Sequence, residues 1–341
     1  MNSRNGMIAS ILLAVLCMAS LAEAQVAHLE PYRGQTITEI RIAGNRVTRE
    51  FVIRREIWSE EGTPLDPGVV AQDLTRLENL ALFGSVIVTP IPTDKGVALD
   101  FEFTEMPWLI PFPAVKWNEQ NGFSFGLGVS SPNFLGYGAA LSLNAVFGGT
   151  TNVSFRGAHP WIAGDHFSVE LLAYHSERRN TLLEFDESSD RVEAILGYHI
   201  GRFGRLGGNI GYWGVASDQD GITLHPGNRD DMFLAGLSIG YDSRDSWRVP
   251  HQGWRGTLSS EVLLGDADAR TISLDVTRYQ PIVDRHTLAF GPHNSYREGK
   301  VGEQIPSYDQ YFQGGSNSVR GFDLEDLGLS LIHISEPTRP T

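Results

Sequence analysis

The sequence has almost no cysteine. Cys17 is the only one in 341 residues, and it lies in the N-terminal apolar stretch. Removal of that stretch leaves no thiol, which excludes disulfides and thiolate catalysis and makes the redox state of the compartment irrelevant. Basic residues are also few: 27 Lys and Arg stand against 41 Asp and Glu, a net charge of −14. Phosphate contacts need clustered cations, so nucleic acid is not expected as a partner. Beyond the N-terminus no run of 18 or more apolar residues occurs, and mean hydropathy is −0.17, so no later transmembrane helix is expected. A membrane β-barrel escapes that test, because every second residue of its strands faces water or the lumen.

Familiar catalytic motifs are missing too. The sequence contains no Gly-x-Ser-x-Gly elbow, no P-loop and no His-Glu-x-x-His, and its ten histidines are scattered without metal-ligand spacing. Gly126-Leu127-Gly128 lies in an alternating run and not at a strand-to-helix turn, which argues against a dinucleotide site. No enzyme activity, cofactor or metal is expected.

The N-terminus reads as a secretion signal over residues 1–24. Arg4 gives the positive start, Met7 to Leu21 is mostly apolar, and Ala22-Glu23-Ala24 is an A-x-A cleavage site. Leu16 is too large for the small residue that precedes a lipidated cysteine, so lipid attachment at Cys17 is not expected.

Between about Gln35 and Glu105 the elements predict strand, helix, helix, strand, strand. Ile37, Ile40 and Ile42 form a β-prone run ending at Gly44-Asn45. Thr48 is placed to cap a helix that turns Val52, Ile53 and Ile57 inward. Asp66 caps a second helix with Pro67 at its first position, and Val70, Leu74, Leu77 and Ala81 make its apolar stripe. Ser85 to Thr89 reads as a strand. After the turn Thr93-Asp94-Lys95-Gly96, Val97, Leu99, Phe101 and Phe103 alternate with polar positions. This order, together with Ile40-Arg41-Ile42-Ala43-Gly44-Asn45, Arg55-Glu56, Arg76-Leu77, Leu82-Phe83 and Thr104-Glu105-Met106-Pro107, resembles a POTRA domain, here over residues 35–106. POTRA domains are the periplasmic repeats of outer-membrane assembly and secretion proteins, and only one repeat fits.

From residue 108 the composition shifts toward glycine and aromatics. Phe123, Phe125, Leu127 and Val129 alternate with small polar residues. Leu141, Leu143, Ala145 and Phe147 do the same, as do Phe167, Val169, Leu171 and Ala173. The pattern recurs at Phe233, Ala235, Leu237, Ile239 and Tyr241, and at Ile272, Leu274 and Val276. Each run has the length that crosses a tilted barrel wall, and about eleven strands are expected before residue 300. Ser176 to Asp190 and Ser217 to Asp231 read as extracellular loops, and Gly148-Gly149-Thr150 as a periplasmic turn. Trp161, Tyr174, Tyr198, Tyr212, Trp213, Trp247 and Trp254 are spread as interface anchors would be. Glu170, Glu193 and Glu261, with Arg191 and Arg255, are expected to line a polar lumen. The fold class is therefore mainly β: one small α+β domain followed by an incomplete antiparallel transmembrane barrel over residues 108–328.

The most informative stretch runs from Tyr311 to Phe322, with Gly314-Gly315-Ser316 followed by Val319-Arg320-Gly321-Phe322. It is similar to the signature of the BamA/TamA superfamily of surface-antigen type. Pro132-Asn133-Phe134-Leu135-Gly136-Tyr137-Gly138 resembles the first hairpin region of such barrels. Tyr241-Asp242-Ser243-Arg244-Asp245, with Pro250 and Gly253, resembles a later strand end. The resemblance implies that Val319, Arg320, Gly321, Phe322, Gly314 and Gly315 form a loop folded into the lumen, with Arg320 touching the inner wall. A guanidinium suits that task, since it can pair with a carboxylate in two places and stack on aromatics. In a family barrel of about sixteen strands this loop follows the eleventh, so about five strands would lie beyond it, with the carboxylate that receives Arg320 among them. Residues 329–341, LSLIHISEPTRPT, carry no aromatic closing strand and read as a non-native tail on a C-terminally truncated chain.

The resemblance implies assistance to insertion or translocation of client proteins at a Gram-negative outer membrane, with the POTRA domain in the periplasm. Unfolded or partly folded outer-membrane or secreted clients, outer-membrane lipid, and periplasmic or lipoprotein partners are the expected contacts. Client binding is expected by strand addition along Ile37, Ile40 and Ile42, or along Val86 and Val88. A dedicated secretion pore for one exoprotein, an outer-membrane hydrolase and a passive channel are the alternatives.

Overall fold

The computed structural model describes residues 27–118, 121–163, 166–180, 183–246, 249–283, 286–313 and 327–329. Residues 1–26 with Cys17, Trp247, residues 314–326 and those from 330 lie outside the described residues, and with them the expected signal segment and tail. Two compact units emerge: residues up to Trp108 together with Pro132–Ala139, and Leu109–Ser131 with everything from Ala140 onward.

In the first unit β1 (Ile37–Ala43) is followed by α1 (Glu50–Arg54) and α2 (Pro67–Asn79), then β2 (Phe83–Thr93) and β3 (Gly96–Glu105). The sheet order is β1-β3-β2, with β1 parallel and β2 antiparallel to the central strand. Asp66 caps α2 by accepting from the Gly68 amide, with Pro67 in the first turn, as its sequence signature predicts. Val70, Leu74 and Leu77 meet Val97, Leu99, Phe101 and Phe103 in one apolar core. Two local expectations fail. The cap of α1 is Arg49, with no side-chain bond, because the Thr48 side chain is buried and committed elsewhere. Ala81 falls after α2 and takes φ 56°, so it ends the chain's helical path instead of extending the stripe.

The second unit is an antiparallel meander. It runs through β4 (Ile110–Asn118), β5 (Gly122–Phe134), β6 (Ala139–Gly148), β7 (Thr151–Ala163), β8 (Phe167–Asn180), β9 (Phe185–Ile200) and β10 (Gly204–Ser217). It continues through β11 (Arg229–Asp242), β12 (Gly253–Gly265) and β13 (Ala269–Val283). β14 (His286–Phe290) and β15 (His293–Glu298) both pair with β13 as two halves of one further strand, which makes eleven passes of the meander among the described residues. β16 (Tyr311–Gln313) and β17 (Leu327–Leu329) pair separately. The ladder from β4 to β15 is an open sheet of barrel type, mainly β as expected.

Strict up-and-down order sorts the connections onto two ends. Those after β5, β7, β9, β11 and β13 share the near end; those after β4, β6, β8, β10 and β12 share the far end. Gly148-Gly149-Thr150 therefore lies at the same end as the 218–228 connection and not opposite it. The Gly149 amide donates to Phe123 O, and Asn121 exchanges bonds with the backbone of Arg179. Turn length misled the sequence reading, because a tight turn can occur at either rim. The loop expected over Ser176 to Asp190 is mostly strand: β8 and β9 pair out to Asn180 and Phe185. The connection between β10 and β11 is a true loop, residues 218–228.

Candidate functional site

Three features of the described residues bear on function: the faces of the large sheet, the edges of the small one, and the turn that joins the first unit.

The large sheet has one apolar and one polar face. Phe123, Phe125, Leu127, Leu143, Leu171, Leu196, Ile210, Phe233, Leu237 and Ile239 are all exposed large hydrophobics, Leu237 to 74%. Register places them side by side: Leu237 lies opposite Gly208 and Ser260, and Phe233 opposite Tyr212 and Leu264. From Phe233 to Tyr241 is eight residue steps, about 27 Å along a strand and about 20 Å along the normal at a tilt near 40°. Aromatics rim this band. Phe167 packs on Tyr198 at 5.0 Å and Phe203 on Tyr241 at 5.9 Å at the near end, while Tyr212 meets Phe233 at 5.8 Å toward the far end. Just past the far rim the same face turns polar, with His175 on Asp190 at 2.8 Å and Arg229 on Asp231 at 3.0 Å. A contiguous apolar surface of this extent is not stable against water, and its height matches the apolar band of an outer-membrane wall.

The opposite face is more buried, as the concave side of a curved sheet must be. Glu193, only 8% exposed, accepts from Arg191 at 2.8 Å, and the Asn209 amide bridges Glu193 and Glu261 at 2.9 Å each. Arg156 pairs with Glu170 at 2.6 Å. These carboxylates do line the inner face, each held by a neighbour. Among the seven expected interface aromatics, Tyr198, Tyr212 and Trp254 stand on the apolar face. Trp213 does not: it turns inward, donating its indole N–H to Ser189 Oγ, and Tyr174 lies opposite the inward Arg191. Trp213 follows Tyr212 directly, and neighbours in a strand face opposite ways.

The small sheet has two outer strands, β1 and β2. The expected client-contact residues sit there, but Ile37, Ile40, Val86 and Val88 turn their side chains into the core, and Ile42 is partly buried against it. Contact along them would run through backbone alone. The β1 edge is already occupied: the Ile37 amide donates to Thr63 O, Gly62 donates back to Ile37 O, and the Ile40 amide donates to the Glu61 carboxylate. On β2, Pro90 and Pro92 take positions whose amide side faces away from β3, where alone a sheet tolerates proline. By the same alternation the Val88 amide aims away from β3, so an added strand could meet that donor before Pro90.

The first unit also holds the turn Pro132–Ala139. The Glu105 carboxylate accepts from the amides of Arg46, Val47 and Thr48 at 3.0, 2.8 and 2.6 Å. Burial alone would raise its pKa, but the Thr48 hydroxyl and these amides outweigh it and hold the carboxyl below its ordinary value. Thr48 Oγ1 in turn accepts from Asn133 Nδ2 at 2.7 Å, Arg49 N donates to Gly136 O, and the Arg49 guanidinium stacks over Tyr137 at 4.1 Å. A Cβ on Gly136, whose φ is 79°, would meet Val47 O at 2.0 Å, so only glycine permits this approach. The Pro132–Gly138 motif is legible as a turn in sequence, but its partner surface is not.

Gly314, Gly315, Val319, Arg320, Gly321 and Phe322 lie outside the described residues; the strands bracketing them, β16 and β17, pair with each other.

Comparison with known proteins agrees with this architecture. A family model of the Omp85 superfamily domain matches residues 133–336, and one of the surface antigen variable number repeat, a POTRA model, matches residues 35–106. The outer membrane protein assembly factor BamA of Neisseria meningitidis serogroup B is 23% identical over 345 residues, covering 89% of this chain and 42% of that protein. BamA of Nitratidesulfovibrio vulgaris is 24% identical, covering 85% and 38%. The chain thus spans less than half the length of these curated relatives. Among solved structures, BamA from Haemophilus ducreyi lacking POTRA domains 1–3 superposes with a TM-score of 0.60 at 21% identity, covering 85% of this chain and 60% of that one. CdiB from Acinetobacter baumannii gives 0.55 at 16%, covering 86% and 57%. At these identities the structural likeness speaks for the fold alone.

Proposed function

The chain belongs to the Omp85 superfamily, and on that premise we propose that it assists the insertion or translocation of client proteins at a Gram-negative outer membrane. The large sheet lies in the bilayer with its apolar face toward lipid, and the POTRA domain stands in the periplasm. The role is mechanical and non-enzymatic: an extended client segment adds to the β2 edge by main-chain hydrogen bonds. The observation that carries the reading is the union, in one chain, of a membrane-type apolar belt and a small sheet whose outer strand β2 aims the Val88 amide away from β3 just before Pro90. Lipoprotein or other periplasmic partners are compatible with the similarity to assembly factors.

A photo-crosslinker at exposed Ile87 on β2 should capture an unfolded outer-membrane client, whereas one at exposed Thr75 on α2 should not. Equal capture at both positions would reject edge binding. A dedicated secretion pore for one exoprotein would use the same surfaces; capture of a single exoprotein and of no outer-membrane client would favour it.

A further inference from the structure

The inner face of the large sheet is polar along most of its height, yet near the far end it carries an apolar patch. Val215, Met232, Leu234, Leu263 and Ala269 turn inward there and are buried, as inward side chains in a wet lumen would not be. Two loop segments cover them, beside Leu183 of the β8–β9 turn and Phe185 at the start of β9. From one side come Ile222 and Leu224 of the 218–228 loop; from the other come Ile305 and Tyr308, which belong to the segment leading from β15 to β16. Tyr308 packs against Phe185 and edge-on against Trp213.

Both segments converge on one carboxylate. Asp230, fully buried at the start of β11, accepts from the amides of Leu224 and His225 at 3.1 and 2.8 Å, and from the Tyr308 hydroxyl at 2.7 Å. The segment after β15 has further ties. The Asp268 amide donates to Gln304 O, and Arg297, itself held by Thr271 Oγ1, donates to the Asp309 backbone and carboxylate. Asp309 lies two residues before β16, so these bonds fix the chain where it enters β16.

We propose that Asp230 is a positioning residue that clasps the 218–228 loop and the 299–309 segment into a single apolar cap across the far end of the inner face. The cap closes that end against the outside and sets where β16 is rooted. A buried carboxylate with three donors from two chain segments couples them: loss of one segment leaves the charge under-satisfied, which weakens the hold on the other. The inference rests on the bilayer placement of the sheet but not on client handling.

The test uses the purified protein folded into lipid bilayers and exposed to proteinase K. Tyr308→Phe removes one hydroxyl. It should raise cleavage about tenfold in residues 299–309, the scale of one charged hydrogen bond, and also in residues 218–228, which Tyr308 is not part of. Asp230→Asn should do the same, and the double variant should add little to either alone. Heat-modifiable migration on gels, unchanged in Tyr308→Phe, shows that the wall is intact; if Asp230→Asn does not fold, the Tyr308→Phe pattern alone decides. Cleavage confined to 299–309, no change in either segment, or full additivity of the two substitutions would overturn the clasp. A protein that clasps as described yet captures no client would sink the proposed function and leave this inference standing.

Discussion

Placing arginine at Leu237 tests the membrane reading most directly. Leu237 is the middle apolar position of β11, four residues from Phe233 and four from Tyr241. Four steps are about 14 Å of strand, or about 10 Å along the membrane normal. Leu264, opposite Phe233, sits at the far rim of the same face. Both side chains are at least half exposed, Leu237 to 74% and Leu264 to 51%. If the face met water, an arginine at either site would change stability by no more than about 0.5 kcal/mol. If it meets lipid, Leu237→Arg places a guanidinium near the midplane, where the cost is about 2–4 kcal/mol, while Leu264→Arg reaches headgroups at a cost of about 0–1 kcal/mol. Urea titration of the protein in thin bilayers, followed by tryptophan emission and heat-modifiable migration, measures both. A clear gap between the sites, with Leu237→Arg the worse, is the expected outcome. Two variants within about 0.5 kcal/mol of the parent and of each other would refute the reasoning.

Other tests follow from the first unit and the cap. Gly136→Ala should destabilise the Pro132–Ala139 turn against Val47 and Arg49 by about 2–4 kcal/mol, since a steric collision adds to backbone strain. Gly62→Ala, at φ 87° with no atom within 4 Å, should show the strain alone, about 1 kcal/mol; hydrogen exchange at the Arg49 amide separates the two. Because the Glu105 pKa is depressed, its hold on residues 46–48 is present above the unfolded carboxylate value and is lost as pH falls through the folded one. Amide exchange at Val47 and Thr48 should therefore rise in acid, and Glu105→Gln should abolish that rise. Asp309 behaves oppositely. Burial pushes its pKa up to about 6 although Arg297 and Arg191 pull it down, with Glu261 adding to the rise. Docking of its segment is therefore strongest below the ordinary value of 3.8 and weakens as pH rises through about 6, by at most about 3 kcal/mol. Proteolysis of residues 299–309 should increase from pH 5 to pH 7.5, and Asp309→Asn should flatten that profile.

Much of the architecture is decided by local pattern. The Asp66-Pro67 cap, the Val70, Leu74 and Leu77 stripe and the Val97 to Phe103 alternation each specify one element with one buried face, and the elements form where those residues stand. The period-two runs likewise fix which side chains leave the wall on its apolar face, because a strand cannot present Leu237 and Ser238 on the same side.

What sequence alone could not decide depends on which strands meet. The parity of the meander, not the length of a turn, places Gly148-Gly149-Thr150 at the far end. Register separates Trp213 from Tyr212. The buried role of Thr48 requires Asn133, 85 residues away, and Asp230 acquires its meaning only when Tyr308 arrives from 78 residues downstream. Such contacts pair groups with no sequence periodicity in common. Only chain closure brings them within hydrogen-bond distance, so composition and spacing carry no trace of them, whereas burial of a strand's face is written in every second residue.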